Sequence, residues 1–168
     1  MEDRKKTVAI VPGSFDPITY GHIELVKEAL AQFDLVYLAV MINPKKNYMF
    51  SLVQRTEIAK AALADLARVE VIASEGMLWK LAEELGATGI VKGYRNECDL
   101  AYEQEMATFN AKYNPTAKTY LVRSPASLEQ LSSTAVREHI LKGQSLEGAM
   151  PPKAIATIQK IISKRASF

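Results

Sequence analysis

Five short apolar runs, rich in β-branched residues, alternate along the chain with segments whose apolar residues recur every three to four positions. The runs cover residues 8–11, 35–40, 69–72, 89–91 and 119–122. Such alternation is typical of βαβ units, in which parallel strands are joined by crossover helices. We therefore predict an α/β fold, a Rossmann-like doubly wound sheet of about five parallel strands with flanking helices.

Helix boundary signals between the runs support this alternation. Ser51 and Gln54 have the spacing of a capping box, and Gly86 and Gly143 fall where helices are expected to end. Neither a change in composition nor a low-complexity segment interrupts the chain. Because 168 residues is a typical length for one domain, we predict a single domain over residues 1–168.

Charge and cysteine content argue against several classes of protein. The formal net charge of +2 is too small to indicate a nucleic-acid partner. Cys98 is the single cysteine, which excludes an internal disulfide. With only two histidines beside it, we expect no metal held by protein side chains. We interpret Cys98 as a buried small apolar residue.

No segment of the sequence is predicted to enter a membrane. The chain has no stretch of the ~18 apolar residues that a membrane-spanning helix needs. The first apolar run ends at Pro12 and is shorter than the ~7–15 residues of a signal-peptide core. We therefore expect a cytoplasmic protein.

The segment from Gly13 to His22 indicates phosphoryl chemistry. It reads Gly-Ser-Phe-Asp-Pro-Ile-Thr-Tyr-Gly-His and leads from the first apolar run into a helical pattern. Gly13 lets the backbone approach a ligand, and the first N–H groups of the helix can bind an anion. Because His22 falls in or beside the first helical turn, its imidazole can reach a phosphoryl oxygen, while the helix dipole disfavours a positive charge on the ring.

Chemically distinctive residues follow the five runs instead of preceding them. In chain order they are Ser14 and His22, Lys46, Leu78, Lys92 and Arg95, and residues 128–134. In a doubly wound sheet, ligands bind beyond the carboxyl ends of the strands, where the strand order reverses. We therefore expect these residues to meet in one crevice, and their positive charge favours a polyphosphate ligand.

Common nucleotide-binding and hydrolase motifs are missing from the sequence. There is no Gly-x-x-x-x-Gly-Lys-Ser/Thr segment and no Gly-x-Gly-x-x-Gly segment. Ser14 also lacks the Gly-x-Ser-x-Gly context of a hydrolase nucleophile. A nucleotide must therefore be bound by another arrangement.

Residues 13–22 resemble the Thr-x-Gly-His form of the HxGH signature of the nucleotidyltransferase superfamily. Residues 92–110 resemble the long block that is characteristic of bacterial phosphopantetheine adenylyltransferases, and further similarity covers residues 43–50 and 132–138. The first motif alone marks only the superfamily, whereas its combination with the second block is specific.

This resemblance implies transfer of adenylate from MgATP to 4′-phosphopantetheine, which gives dephospho-coenzyme A and pyrophosphate in coenzyme A biosynthesis. It also implies a homohexamer, and it leaves open whether coenzyme A binds in the crevice as a feedback ligand. The implied catalytic residues are His22, as transition-state stabiliser, Lys46 and Arg95. The implied acceptor-binding residues are Ser14, Lys46, Leu78 and Lys92. The implied ATP-binding residues are Ser14, Phe15, His22, Gly93, Tyr94, Arg95, Glu103, Leu128, Glu129, Gln130, Leu131, Ser132, Ser133 and Thr134.

The sequence departs from the family pattern at several of these positions. Ser14 stands where Thr is common, Lys92 where Arg is usual and Tyr94 where Leu is usual. These changes leave the acceptor open, so the alternatives are a related transferase with another small phosphate acceptor and a non-catalytic nucleotide-binding regulatory module. On spacing alone, Glu103 could equally lie on an exposed helix face.

Overall fold

A computed structural model describes residues 5–125, 128 and 131–166. These residues form five strands and six helices that alternate along most of the chain. The elements are β1 (Val8–Gly13), α1 (Tyr20–Gln32), β2 (Leu35–Met41), α2 (Leu52–Ala62), β3 (Val69–Ser74), α3 (Leu78–Leu85), β4 (Gly89–Tyr94), α4 (Glu97–Tyr113), β5 (Lys118–Arg123), α5 (Ser133–Leu141) and α6 (Pro152–Ala166).

The strands form one parallel sheet in the order β3-β2-β1-β4-β5. This order confirms the predicted doubly wound α/β fold, and each strand continues one to three residues beyond its predicted apolar run. The direction of winding reverses between β1 and β4. These two strands pair only at Ala9 with Gly89 and Ile10 with Ile90, although both continue further. Their carboxyl-terminal halves therefore separate and leave a crevice at the predicted edge.

Two apolar clusters cover the two faces of the sheet. On one face, Ala9 and Val11 of β1 pack with buried residues of α1, α2, α5 and α6. On the other face, Ile10 packs with Ala82 of α3, and α4 lies against α3, β4 and β5. Because successive residues of a strand point to opposite faces, burial on both sides explains why the strands read as continuous apolar runs.

The predicted helix boundaries are confirmed. Ser51 Oγ accepts a hydrogen bond from Gln54 N at 3.1 Å, and Gln54 Oε1 accepts one from Ser51 N at 3.0 Å. Gly86 ends α3 with a φ of 65°, and Gly143 follows α5 with a φ of 66°. Residues that carry a side chain rarely adopt this left-handed backbone conformation.

The interpretation of Cys98 as a buried residue is wrong, because its side chain is exposed. Cys98 is the second residue of α4, between Glu97 and Asp99 in the polar first turn of that helix. The burial tendency of cysteine is an average over proteins, and here the position in the helix decides the outcome.

Candidate active site

A cavity of about 660 Å³ lies at the carboxyl ends of β1 and β4, where the two strands separate. Its walls come from the turn between β1 and α1, the loop after β2, the end of β4, α4 and the start of α5. The crevice expected from the strand order is therefore present.

Most of the residues singled out from the sequence line this cavity. They are Ser14, Phe15, His22, Lys46, Lys92, Gly93, Arg95, Glu103, Leu128, Leu131, Ser132, Ser133 and Thr134. Glu129 and Gln130 lie outside the described residues. The structure thus brings together groups from four of the five segments that follow strands.

Leu78 and Tyr94 are not among the described residues that line the cavity. Leu78 begins α3 and packs against the apolar cluster that contains Ile10. Tyr94 is the last residue of β4. Their assignments to the acceptor and to ATP stay predictions.

His22 is fixed by the start of α1. It is the third residue of the helix, and its Nδ1 accepts a hydrogen bond from the backbone N–H of Thr19 at 2.9 Å. The ring of Phe15 meets the imidazole edge-on, with 5.0 Å between the ring centroids. Because Nδ1 accepts, a neutral His22 carries its proton on Nε2. The imidazole therefore presents Nε2–H as its hydrogen-bond donor.

Burial, and in second place the positive charge of Arg95, lowers the pKa of His22 from 6.5 to about 4. Removing the ring from water disfavours its charged form, and a nearby cation acts in the same direction. His22 is therefore neutral at pH 7. The site gains a directed hydrogen-bond donor without an additional positive charge.

This lowered pKa makes a measurable prediction. In an NMR titration of the free protein, the His22 ring signal should titrate with a midpoint near 4, well below 6.5. His139→Gln removes the only other histidine signal and assigns the resonance. The folded state binds fewer protons than the unfolded state between these two values, so the contribution of His22 to stability is complete above pH 6.5 and lost as the pH falls toward 4. A midpoint at or above 6.5 would contradict the described environment.

Three residues to which the sequence analysis gave no role support the cavity wall. Asp16 is 3% exposed, and its two carboxylate oxygens accept the backbone N–H groups of Met49 and Phe50. Arg137 of α5 donates to the Asp16 carbonyl oxygen at 2.9 Å and adds a cation to the cavity. Arg55, 1% exposed, donates to the Ser14 carbonyl oxygen at 2.7 Å. These bonds fasten the β1–α1 turn to the elements around it.

Two cations of the cavity are paired with carboxylates of α4. Lys92 Nζ lies 2.9 Å from Glu103 Oε2, a buried oxygen. Arg95 Nε lies 3.2 Å from Asp99 Oδ2, and the Arg95 side chain is 53% exposed. Glu103 is therefore not on an exposed helix face, since its side chain is only 12% exposed.

The start of α5 offers donors to an anion. Ser132 caps the helix with its hydroxyl oxygen, which accepts from Ala135 N at 3.1 Å and keeps its own proton free to donate. The Ser133 hydroxyl donates to the Pro17 carbonyl oxygen at 2.8 Å. The backbone N–H groups of Ser133 and Thr134 belong to the first helical turn, where N–H groups have no carbonyl partner within the helix. These groups make the start of α5 a phosphate-binding position.

Among the described residues, no group of three or more His, Cys, Asp or Glu side chains could hold a metal ion. No helix within the described ranges is long and apolar enough to cross a bilayer. From the described part of the chain, the cavity thus combines four cations, Lys46, Lys92, Arg95 and Arg137, with a neutral imidazole and a helix N-terminus. Such a set suits a ligand with several phosphate groups.

Comparison with known proteins identifies the family. The model of the cytidylyltransferase-like family matches residues 10–139. The phosphopantetheine adenylyltransferase of Lactobacillus acidophilus is 39% identical over 155 residues, which cover 92% of this chain and 96% of that protein. The chain belongs to the phosphopantetheine adenylyltransferases, within the cytidylyltransferase-like family.

Other members of the family match over a similar length. The phosphopantetheine adenylyltransferase of Caldanaerobacter subterraneus is 40% identical over 144 residues, which cover 86% of this chain and 90% of that protein. The phosphopantetheine adenylyltransferase of Clostridium novyi is 36% identical over 157 residues, which cover 94% of this chain and 98% of that protein. The family resemblance drawn from the sequence motifs is therefore confirmed.

Proposed function

We propose that this chain transfers the adenylyl group of ATP to 4′-phosphopantetheine, which yields dephospho-coenzyme A and pyrophosphate. The observation that carries the proposal is the meeting of His22, Lys46 and Arg95 around one cavity, in a chain whose relatives are named for this activity. The physical chemistry of each group supports it.

The acceptor phosphate supplies its own nucleophile. A phosphate monoester has a second pKa of ~6 and is largely ionised at neutral pH. One of its oxygens attacks the α-phosphorus of ATP, the bond from that phosphorus to the bridging oxygen breaks, and pyrophosphate leaves with the electron pair. Because no proton has to be removed, the reaction needs no general base.

His22 stabilises the charge that develops on the α-phosphoryl group. Its neutral ring donates Nε2–H to a non-bridging oxygen, and the Thr19 backbone fixes the ring orientation. A donor held in place before the reaction costs no reorganisation when the charge develops. His22 is therefore a transition-state stabiliser.

The cations of the cavity divide the remaining work. Ser14 and Lys46 hold the acceptor phosphate. Arg95, Arg137 and the start of α5 neutralise the triphosphate and then the pyrophosphate that leaves. Arg137 lies beside that helix start, since its Nη2 donates to Thr134 Oγ1 at 3.1 Å.

Mg²⁺ fits this cavity as a companion of ATP. The three carboxylates that line the cavity in the described part of the chain, Asp16, Asp99 and Glu103, already have partners within the protein. The ligands left for Mg²⁺ are phosphate oxygens and water, a set that this ion commonly accepts. When bound, it neutralises phosphate charge and orients the nucleotide.

The proposal is tested by an acceptor panel. Purified protein is supplied with ATP or CTP and with 4′-phosphopantetheine, nicotinamide mononucleotide, flavin mononucleotide or glycerol 3-phosphate, and pyrophosphate release is measured. We expect release with ATP and 4′-phosphopantetheine. Turnover with another acceptor alone would replace the proposed substrate, and nucleotide binding without any turnover would favour a regulatory module.

The Lys92–Glu103 pair gives a prediction on acceptor affinity. We expect Lys92→Arg to leave the KM for 4′-phosphopantetheine unchanged or lower it by about threefold, because a guanidinium can hold Glu103 and a phosphate with different N–H groups. Steady-state kinetics with saturating ATP measure the effect, and the KM for ATP is the internal control. A rise of tenfold or more would show a cavity shaped around the shorter ammonium.

Gly21 gives a prediction on nucleotide affinity. A Cβ at Gly21 would lie 3.4 Å from Thr19 Oγ1 and 3.9 Å from the Leu131 carbonyl oxygen, which are ordinary contacts. We therefore expect Gly21→Ala to keep or slightly raise the melting temperature, since alanine favours a helix over glycine by about 0.5–1 kcal/mol. The methyl group enters the space between α1 and Leu131, so the Kd for ATP should rise about tenfold. Calorimetric titration with ATP measures this Kd. An unchanged value would show that the nucleotide does not occupy the space between α1 and Leu131.

The homohexamer and the cytoplasmic location stay predictions from the sequence, and feedback by coenzyme A stays an open question. Gel filtration with light scattering tests the oligomeric state, and titration with coenzyme A tests the feedback. Expression in the source cell followed by fractionation tests the location.

A further inference from the structure

Tyr48 connects the loop that carries Lys46 to the turn that carries Ser14. Residues 44–47 are exposed, whereas Tyr48 is half-buried and lines the cavity. Its phenol oxygen lies 2.8 Å from Asn43 N and 3.2 Å from Ser14 Oγ. The first contact closes the loop on itself, and the second fastens it to the end of β1.

Chemistry fixes the direction of the first of these hydrogen bonds, whereas either hydroxyl can donate in the second. The backbone N–H of Asn43 can only donate, so the Tyr48 oxygen accepts that bond. The phenol then retains its own proton for donation, and Ser14 Oγ is within reach. When Ser14 Oγ accepts a hydrogen bond from the Tyr48 hydroxyl, the proton of the Ser14 hydroxyl points away from Tyr48. Because Ser14 lines the cavity, this proton is available to an anionic oxygen of a ligand.

Arg55 contacts both the ring of Tyr48 and the backbone of Ser14, and so fixes their relative positions. The guanidinium carbon of Arg55 lies 3.9 Å from the centre of the Tyr48 ring. The same guanidinium donates to the carbonyl oxygens of Ser14 and Met41 at 2.7 and 2.9 Å. A buried cation with several bonds is a rigid support, and its stacking does not depend on the phenol hydroxyl.

We propose that Tyr48 is a positioning residue for the phosphate of the acceptor. Its hydroxyl sets the direction of the Ser14 proton and keeps the Lys46 loop beside that proton. This inference rests on the proposed function, in which Ser14 and Lys46 hold the acceptor phosphate. Among the described contacts, Tyr48 touches neither Arg95 nor Arg137, to which the proposed function assigns the triphosphate, so the larger effect falls on the acceptor. Because Ser14 is also an implied ATP-binding residue, a smaller effect on ATP accompanies it.

The test uses Tyr48→Phe, which removes the hydroxyl and keeps the ring over Arg55. Calorimetric titrations compare 4′-phosphopantetheine, pantetheine without the phosphate, and ATP. We expect the Kd and KM for 4′-phosphopantetheine to rise about tenfold, the Kd for pantetheine to change by less than about twofold, and the Kd for ATP to rise by less than about threefold. Tyr37→Phe is the matched control, because Tyr37 is on β2 and is not among the described residues that line the cavity.

A double-mutant cycle with Ser14→Ala isolates the hydrogen bond. Ser14→Ala should weaken the binding of 4′-phosphopantetheine more than that of ATP or pantetheine, and Tyr48→Phe in that background should raise the Kd for 4′-phosphopantetheine by less than about a further threefold. Phosphopantetheine binding of Tyr48→Phe equal to wild type would overturn the inference, as would an equal loss for all three ligands. Failure of the proposed function has a different signature, since the wild-type protein would then release no pyrophosphate with ATP and 4′-phosphopantetheine.

Discussion

Replacing His22 by alanine should lower kcat by about 10²–10³, while the Kd for ATP changes by less than about threefold. The Nε2–H of His22 interacts most strongly with the α-phosphoryl oxygens when negative charge accumulates on them. Losing such a donor therefore costs transition-state stabilisation and little ground-state binding. Rapid-quench measurement of a single turnover gives the chemical rate, and calorimetric titration gives the Kd.

The control for this variant is His139→Ala. His139 is the only other histidine, and it is exposed in the last turn of α5. Its replacement should leave kcat unchanged. Because His22 also bonds the Thr19 backbone at the start of α1, a thermal melt must show that His22→Ala remains folded. A folded His22→Ala protein with wild-type kcat would remove the proposed role of the imidazole.

Replacing Gly89 by alanine should destabilise the fold by about 2–3 kcal/mol without changing the catalytic constants of the folded protein. Gly89 begins β4, and a Cβ there would overlap the ring of Phe33, which is 8% exposed. Phe33 packs edge-on against Tyr120, with 5.7 Å between the ring centroids, so it cannot move away freely. Urea unfolding followed by far-UV circular dichroism measures the change.

Phe33→Leu provides the matched test of this overlap. The smaller side chain vacates the space that the new methyl group requires. The Gly89→Ala/Phe33→Leu protein should therefore be more stable than Gly89→Ala alone, although Phe33→Leu by itself is destabilising. If Gly89→Ala costs less than about 0.5 kcal/mol, or if Phe33→Leu gives no rescue, the described packing of β4 against Phe33 is incorrect.

The fold could be predicted from the sequence because its signals are local. Buried parallel strands read as apolar runs, and the capping box of Ser51 and Gln54 marks the start of α2. The place of the cavity followed from a topological rule, since residues after parallel strands gather at one edge of the sheet. These inferences needed no knowledge of side-chain contacts.

The support of the site could not be predicted in the same way. Arg137 bonds the Asp16 carbonyl across 121 positions of sequence, and Arg55 bonds that of Ser14 across 41. No local pattern shows which distant carbonyl a buried arginine will meet. The sequence offered one indication. Arg137 lies about one turn after Ser132, the residue that caps α5, so its side chain can extend back toward the N-terminus of that helix.

The burial and pairing of individual side chains also depended on the fold. Cys98 proved to be exposed, and Glu103 proved to be largely buried and paired with Lys92. Both are on α4, where the sequence shows no clear apolar face. Which side of that helix meets β4 is settled by packing against α3 and the sheet. Sequence spacing alone left both possibilities open for Glu103.

The most direct test of the account follows the α-phosphorus of ATP. The protein is incubated with Mg²⁺, 4′-phosphopantetheine and ATP labelled with ³²P at the α or the γ position, and the products are separated. We expect the α label in dephospho-coenzyme A and the γ label in pyrophosphate. Appearance of the γ label in the acceptor, or release of the α label as AMP without an acceptor, would contradict adenylyl transfer at this cavity.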